Sequence, residues 1–315
     1  MTVDLLCMGE PMLEFNQLPV GPDGTQHYLQ GHGGDTSNAA IAAARQGASV
    51  GYITALGNDM PGDSFISLWQ RENVDISTVR RTDRYQTAVY FVSHDQDGHH
   101  FMFYRTNSAA AMYAPDDVPQ AAIKAARMLY VSGISQGIST SACDAVFKAI
   151  DIAARNGVAV AYDTNYRAKL WPPARAASVM HAAMAYADYA MPGIEDVRTL
   201  TGLTDPDRML DFYLRLGSKV VLLKMGEVGC YLATADTRVL IPAHKVVPVD
   251  ATGAGDTFCG SFLARLLAGD DAQSAARYAS VAAALKCTGY GAVGPIPTAE
   301  AVWAVLGSGR QASVR

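Results

Sequence analysis

The sequence contains no uninterrupted apolar run of about 18 residues, which excludes an ordinary membrane-spanning helix. Its first residues carry no basic segment ahead of an apolar one. Asp4, Glu10 and Glu14 interrupt the hydrophobic pattern there, so no secretory leader is expected. Cysteine is sparse: Cys7, Cys143, Cys230, Cys259 and Cys287 are odd in number, scattered, and never form a Cys-x-x-Cys. Such usage suits the reducing cytoplasm, where the chain is expected to reside. Positive charge is not in excess, and a net charge of -5 argues against nucleic acid as a partner, because neutralising phosphates calls for a basic face. Two phosphate-binding patterns are missing as well. There is no Gly-x-x-x-x-Gly-Lys-Ser/Thr, and the first strand runs into Gly9-Glu10-Pro11 rather than Gly-x-Gly-x-x-Gly. A Walker-type site is thereby excluded and a nicotinamide dehydrogenase disfavoured. No His/Asp cluster has the spacing a metal-dependent hydrolase would need. Internal repeats, low-complexity tracts and long linkers are absent too.

What remains is a globular enzyme's composition: 315 residues, 50% hydrophobic and 17% charged, ample for a large buried core. From about residue 110 the chain alternates short apolar runs with helical patterns. Met128 to Val131, Val158 to Tyr162, Tyr189 to Met191 and Val220 to Lys224 are the runs. Ser141 to Arg155, Arg175 to Ala187, Ile194 to Thr201 and Asp205 to Leu216 are the helices. Continuously apolar strands between helices predict a parallel sheet covered on both faces. Val3 to Gly9 and Ser49 to Thr54 add two central strands around a helix from Asn38 to Gln46. Gln26 to Gln30 and Thr87 to Ser93, with an Asp97-Gly98 turn leading to Phe101 to Tyr104, read instead as antiparallel pieces standing apart. The basic, small-residue tail after Gly307 is expected to fray.

The strongest chemical signal is Asp250-Ala251-Thr252-Gly253-Ala254-Gly255-Asp256-Thr257-Phe258. A β-type stretch, Lys245 to Val249, precedes it, and a helix with Phe258, Phe262, Leu266 and Leu267 on one side follows. Gly253, Ala254 and Gly255 therefore open a helix, where unpaired N–H groups and the positive dipole end receive an anion. Asp256 in that first turn serves the helix dipole in a purely structural reading. In a functional one it accepts the proton of an attacking hydroxyl. Phosphoryl transfer asks for little beyond such a base, positive charge or N–H groups on the moving group, and in-line geometry.

A second motif, Gly33-Gly34-Asp35-Thr36-Ser37-Asn38, opens the first helix. Paired in this order with the Gly-Ala-Gly-Asp of residues 253–256, it closely resembles the ribokinase-like, PfkB-type carbohydrate kinases, and the likeness covers essentially the whole chain. The family implies a three-layer α/β/α sandwich with a mainly parallel central sheet and a small antiparallel β-lid. For this chain that means one kinase domain over residues 1–315, its lid formed by about 13–32 and 86–108. Three strings are most similar to 2-keto-3-deoxygluconate kinases: the Gly33 to Asn38 motif, Phe103-Tyr104-Arg105-Thr106-Asn107-Ser108-Ala109-Ala110, and Asp163-Thr164-Asn165-Tyr166-Arg167-Ala168-Lys169-Leu170-Trp171. The resemblance implies ATP-dependent phosphorylation of a sugar acid at its terminal hydroxyl, with Asp256 as the base. It assigns Gly34, Asp35, Asn38, Tyr90, Tyr104, Arg105 and Arg167 to the sugar. Asn165, Lys224, Gly226, Glu227, Gly229 and the 253–255 turn fall to ATP.

Residue chemistry agrees in outline. A carboxylate favours the planar fork of arginine, and Arg105 and Arg167 each follow a tyrosine at a strand end. A sugar phosphate would be held by the same cations, and surface ion pairs are the bland alternative for either arginine. Two departures from the family stand out. Pro192-Gly193-Ile194-Glu195 keeps a glutamate but has proline where asparagine is usual, which leaves Glu195 to organise Mg²⁺ through water. Ala251 replaces a usual hydroxyl residue or proline, with little expected effect. The loop Gly289 to Pro295 is expected to line the nucleotide base, and in some relatives such a loop helps hold a monovalent cation. A neutral-sugar kinase and a non-catalytic sugar-binding relative are the competing readings, and an exposed lid suggests a homodimer.

Overall fold

A computed structural model of the protein describes residues 3–95 and 98–312. The N-terminal part holds β1 (Leu5–Met8), β2 (Met12–Gln17), β3 (Tyr28–Gly33), α1 (Asp35–Arg45), β4 (Val50–Gly57), α2 (Met60–Arg71), β5 (Val74–Asp75), β6 (Val79–Thr82), β7 (Ala88–Asp95) and β8 (Gly98–Tyr104). The middle holds α3 (Gln120–Ala125), β9 (Met128–Ser132), α4 (Gly133–Gly137), α5 (Thr140–Arg155), β10 (Ala159–Asp163), α6 (Pro173–Met184), β11 (Tyr189–Ala190), α7 (Ile194–Thr201) and α8 (Pro206–Leu216). The chain then forms β12 (Val220–Lys224), β13 (Gly229–Ala233), β14 (Arg238–Pro242), α9 (Ala254–Leu267), α10 (Ala272–Lys286) and α11 (Ala299–Ala312).

The large sheet runs β14-β13-β12-β11-β10-β9-β1-β4-β5, with β6 against β4; from β12 to β5 its neighbours are parallel, and β13 and β14 close one edge antiparallel. Period-two geometry sends alternate strand residues to opposite faces. Leu6, Met8, Leu129, Val131 and Val160 pack on α5, α6, α7 and α8, whereas Leu5, Cys7, Met128, Tyr130 and Ala161 pack on α1, α2, α9 and α10. Both faces are dry, which is why these strands are apolar at every position. The result is a three-layer α/β/α sandwich.

A second, four-stranded sheet, β3-β2-β7-β8, stands beside it. Its outer pairs are antiparallel, and its central pair, β2 with β7, is parallel. Met12, Ala88, Tyr90 and Val92 form its own small buried cluster, while Leu29, Phe101, Met102 and Tyr104 are exposed. Asp97 of the expected turn lies outside the described residues.

One local expectation fails. Lys245 to Val249 is no strand: the Val249 and Asp250 amides both donate to the Cys287 carbonyl at the end of α10, and Val247 is exposed. The β-branched residues there have no sheet partner among the described residues. Beyond Gly307, α11 continues to Ala312, and the rest of the tail expected to fray lies outside the described residues. No helix among the described residues is long and apolar enough to cross a membrane.

Helix starts separate by chemistry. Asp59, Ser132, Ser139, Asp205 and Asp271 cap α2, α4, α5, α8 and α10 with their side chains. By contrast α3, α6 and α7 have no side-chain cap, and neither do α1 and α9, which begin at Gly34 and Gly253. Both starts lie beside the carboxyl ends of β1, β9, β10 and β12.

Candidate active site

Gly34 has a φ of +111°, and a Cβ there would lie 2.5 Å from the Glu10 carbonyl oxygen. Glycine alone lets the chain pass from β3 into α1 at this point. The turn brings Asp35 and Asn38, both nearly inaccessible, to the inner end of α1. Asn38 donates its Nδ2 to Asp256 Oδ2 at 2.8 Å, and Asn165 donates its Nδ2 to Asp35 Oδ2 at 2.9 Å. Asn165 adopts a φ of +32°, in the left-handed region that asparagine tolerates, and its amide meets Asp163 Oδ1 at 3.2 Å. Asp163, at the end of β10, receives Lys224 Nζ at 2.5 Å from the end of β12. The same ammonium is the nearest group to the open side of Gly255.

This pocket is crowded with acid. Burial, then the neighbouring Asp35 and Asp163, raise the Asp256 carboxyl to about 7 against the hydrogen bond from Asn38 and the charge of Lys224. Asp35 is raised as well, by burial first and by Asp163, although Ser132, the Thr36 amide and Asn165 work the other way. Burial alone would lower the Lys224 ammonium, but Asp163 outweighs it and the group sits above lysine's usual range. Among the described residues, Asp35 Oδ1 and Asn38 Oδ1 are buried without a partner, and so is Arg105 Nε. Two acceptors and one donor thus await a polar occupant.

Arg105, just beyond β8, is drawn inward by fully buried Glu10, which it meets as an ion pair; Glu10 Oε1 also accepts from Ser108 Oγ at 3.2 Å. Glu10 itself is raised by burial despite this guanidinium. Tyr90 directs its hydroxyl to Glu14 rather than into open space. Tyr104 is exposed, its hydroxyl on the Met102 sulfur at 3.1 Å, and exposed Arg167 donates to the Tyr166 carbonyl at 3.0 Å.

The structure therefore gathers Gly34, Asp35, Asn38, Asp256, Lys224 and the Gly253-Ala254-Gly255 turn, with Arg105 beside Glu10. Asn165, expected on the nucleotide side, donates to Asp35. Gly226 and Glu227 form an exposed turn after β12, and Gly229 opens β13. Glu195 is not brought in: it points to solvent and pairs with Arg198 one turn along α7. The next residue, Asp196, faces inward, accepting from Thr164 Oγ1 at 2.7 Å and the Tyr166 amide at 3.2 Å. One helical step of about 100° separates the two side chains, and it decides which acid is internal. Glu10 and Asp196 were not singled out as site residues from sequence. For Glu10 the signal was available, since it follows the carboxyl end of a central strand just as Asp163 ends one.

An uncapped, glycine-led helix start, a carboxylate in its first turn and a polar pocket at the strand ends define a phosphotransferase acting on a small hydroxylated molecule. The chain belongs to the pfkB family of carbohydrate kinases, whose family model matches residues 3–299. It is 32% identical over 294 residues to 2-dehydro-3-deoxygluconokinase of Thermoproteus tenax, covering 90% of this chain and 88% of that one. It is also 29% identical to probable fructokinase-2 of Arabidopsis thaliana, covering 93% of each. Among solved structures, fructokinase with bound ATP from Xylella fastidiosa superposes with a TM-score of 0.89 at 25% identity, over 98% of this chain and all of that one.

Proposed function

We propose that the protein transfers the γ-phosphoryl group of ATP to the terminal hydroxyl of a sugar acid, 2-keto-3-deoxygluconate (2-dehydro-3-deoxygluconate), giving its 6-phosphate. One observation carries this reading: Asp256 stands in the first turn of a glycine-led helix, held by Asn38 at 2.8 Å, where burial raises its carboxyl toward neutrality. A base is most effective when its pKa lies close to the working pH. Asp256 takes the hydroxyl proton as the sugar oxygen forms its bond to the γ-phosphorus. The bond from that phosphorus to the β,γ-bridging oxygen breaks, and ADP leaves with the electron pair. The Gly253 and Gly255 amides and the Lys224 ammonium receive the negative oxygens, while the Ala254 amide holds the turn closed on the Ala251 carbonyl. Asp35 and Asn38, each with an unpartnered buried oxygen, accept from sugar hydroxyls. Arg105, with a buried Nε still free to donate, meets the carboxylate or keto end together with Tyr104, and Arg167 approaches from the exposed side.

The family uses Mg²⁺ with its nucleotide. Among the described residues no three His, Cys, Asp or Glu side chains gather into a metal site. That suits Mg²⁺, which keeps several waters and asks for only one or two carboxylates. Asp163 and Asp196, both within electrostatic reach of Lys224, are the pair we assign to it, in place of Glu195. When bound, the ion would neutralise phosphate oxygens.

Residues 1–315 work as one kinase domain in this reading, and the small sheet, about 13–32 and 86–108, acts as the lid that excludes water. Its exposed Leu29, Phe101, Met102 and Tyr104 support a homodimer through the lid, and elution as a monomer at micromolar concentration would remove that element. Five unpaired cysteines suit work in a reducing cytoplasm.

A second reading, a neutral-sugar kinase such as a fructokinase, has one observation in its favour: the charge of Arg105 is already met by Glu10. A panel of sugars and sugar acids in an ADP-release assay separates the two. The sugar acid should give the highest kcat/KM; a preference for fructose would select the second reading.

A further inference from the structure

Lys286 is fully buried at the last turn of α10, and the mechanism above makes no use of it. Its Nζ donates to the Asp250 carbonyl oxygen at 2.7 Å, just ahead of the phosphate-binding turn. The Asp250 carboxylate spreads over both neighbouring loops, accepting from the Thr252 amide at 2.8 Å and the Gly291 amide at 2.8 Å. The Cys287 carbonyl ties the same segment down through Val249 at 2.7 Å and Asp250 at 3.1 Å. Across the glycine loop, Arg45 Nη1 reaches the carbonyls of Val293 at 3.1 Å and Ile296 at 2.5 Å, and Gly294 at 3.4 Å. Gln46 takes the Pro297 carbonyl at 2.9 Å.

A monovalent cation in such a place would need several main-chain carbonyl oxygens. Here those of Asp250, Val293, Gly294 and Ile296 are already bound by the chain's own cations. An added ion would have to share these oxygens with two positive charges fixed beside them, a poor fit for a monovalent cation.

We infer that Lys286 is a tethered substitute for a monovalent cation, holding the Asp250 to Gly255 segment in its phosphate-binding shape, so that the enzyme needs no potassium. An ammonium group and a potassium ion both bring one positive charge to oxygen ligands, but the ammonium arrives already attached and loses no translational freedom on binding. Burial tends to discharge it, and the adjacent Asp250 opposes that tendency. Lys286 touches neither substrate, so its role is positioning. The inference rests on the kinase reading.

The test compares KCl, NH₄Cl and tetramethylammonium chloride at equal ionic strength, with ATP varied at a saturating concentration of the sugar acid. For the natural protein, kcat/KM and the unfolding temperature should be the same in all three salts. A several-fold rise in turnover, or a specific rise in unfolding temperature, with K⁺ would overturn the inference. Lys286→Met, checked for folding by circular dichroism, should lose about tenfold or more in kcat/KM for ATP, and K⁺ or NH₄⁺ should restore part of it while tetramethylammonium does not. A folded variant with full turnover, or with a loss no cation relieves, would equally overturn it. If that variant does not fold, the salt response of the natural protein still decides. Absence of turnover with every sugar would instead sink the kinase reading.

Discussion

Asn38 and Asp256 are 218 residues apart in sequence and 2.8 Å apart in space, each in the first turns of its own helix. The contact joins the two glycine-led helix starts and sets the ionisation of the proposed base. Asn38 lowers it, while burial, Asp35 and Asp163 raise it further, to about 7.

Asp256 must be ionised to accept a proton, so kcat/KM should fall as pH drops through about 7. Asn38→Ala should move this acid limb to higher pH by removing the hydrogen bond. Asp256→Asn should lose about 10²–10⁴-fold in kcat while still binding ATP. An initial-rate pH profile with an acid limb near the ordinary 3.8 of aspartate would contradict the assignment.

The same shift has a stability sign. A carboxyl raised in the folded state keeps its proton better there than in the unfolded chain, so ionising it between about pH 4 and 7 costs stability. Asp256→Asn should therefore be more stable than the parent at about pH 8, by on the order of 1–3 kcal/mol, with the gain vanishing near pH 4. Thermal melts at both pH values check it.

Arg105→Ala removes the ion-pair partner of fully buried Glu10, so it should destabilise the fold by about 3–5 kcal/mol as well as weaken sugar-acid binding. The double variant Glu10→Gln with Arg105→Gln should recover most of the stability but not the binding. Michaelis constants for the sugar acid and for fructose separate the effects: only the first should rise in the double variant.

Glu195 and Asp196 can be told apart directly. Glu195→Gln should leave turnover near normal, because that side chain lies in solvent with Arg198. Asp196→Asn, half-buried against Thr164, should raise the Mg²⁺ concentration needed for half-maximal rate. Equal effects from the two would remove Asp196 from the metal's surroundings.

Gly260 in α9 packs where an added Cβ would overlap the backbone carbonyl of Ala39 in α1. In an exposed helix Gly→Ala gains about 1 kcal/mol. Here Gly260→Ala should instead destabilise, by about 1–3 kcal/mol for overpacking, and reduce kcat by prising Asn38 from Asp256. A more stable, fully active variant would show that the two helices can separate without cost.

Much of the architecture was legible from local pattern. Apolar runs such as Val220 to Lys224, between helical segments, predict parallel strands because both faces of such a sheet are covered. The glycines at 33–34 and 253–255 mark helix starts because few other residues leave amides open or allow a φ of +111°. Lys245 to Val249 misled because β-branched residues describe what a strand would bury, not whether a partner strand exists; the Cys287 carbonyl took the amides instead.

Sequence alone determined the alternation of apolar strands and helices between about residues 128 and 224, the glycine-led turns at 33–34 and 253–255 and the candidate base, all consequences of spacing along a few consecutive residues. Tertiary structure decided which charges meet. It turned Asp196 inward and Glu195 outward, gave Arg105 to Glu10, set Asn165 against Asp35, and buried Lys286 under Asp250. Those pairings join residues from distant parts of the chain or depend on the rotation of a helix about its axis. No local pattern carries that information, because a charged side chain's partner is chosen by burial and approach rather than by its neighbours in sequence.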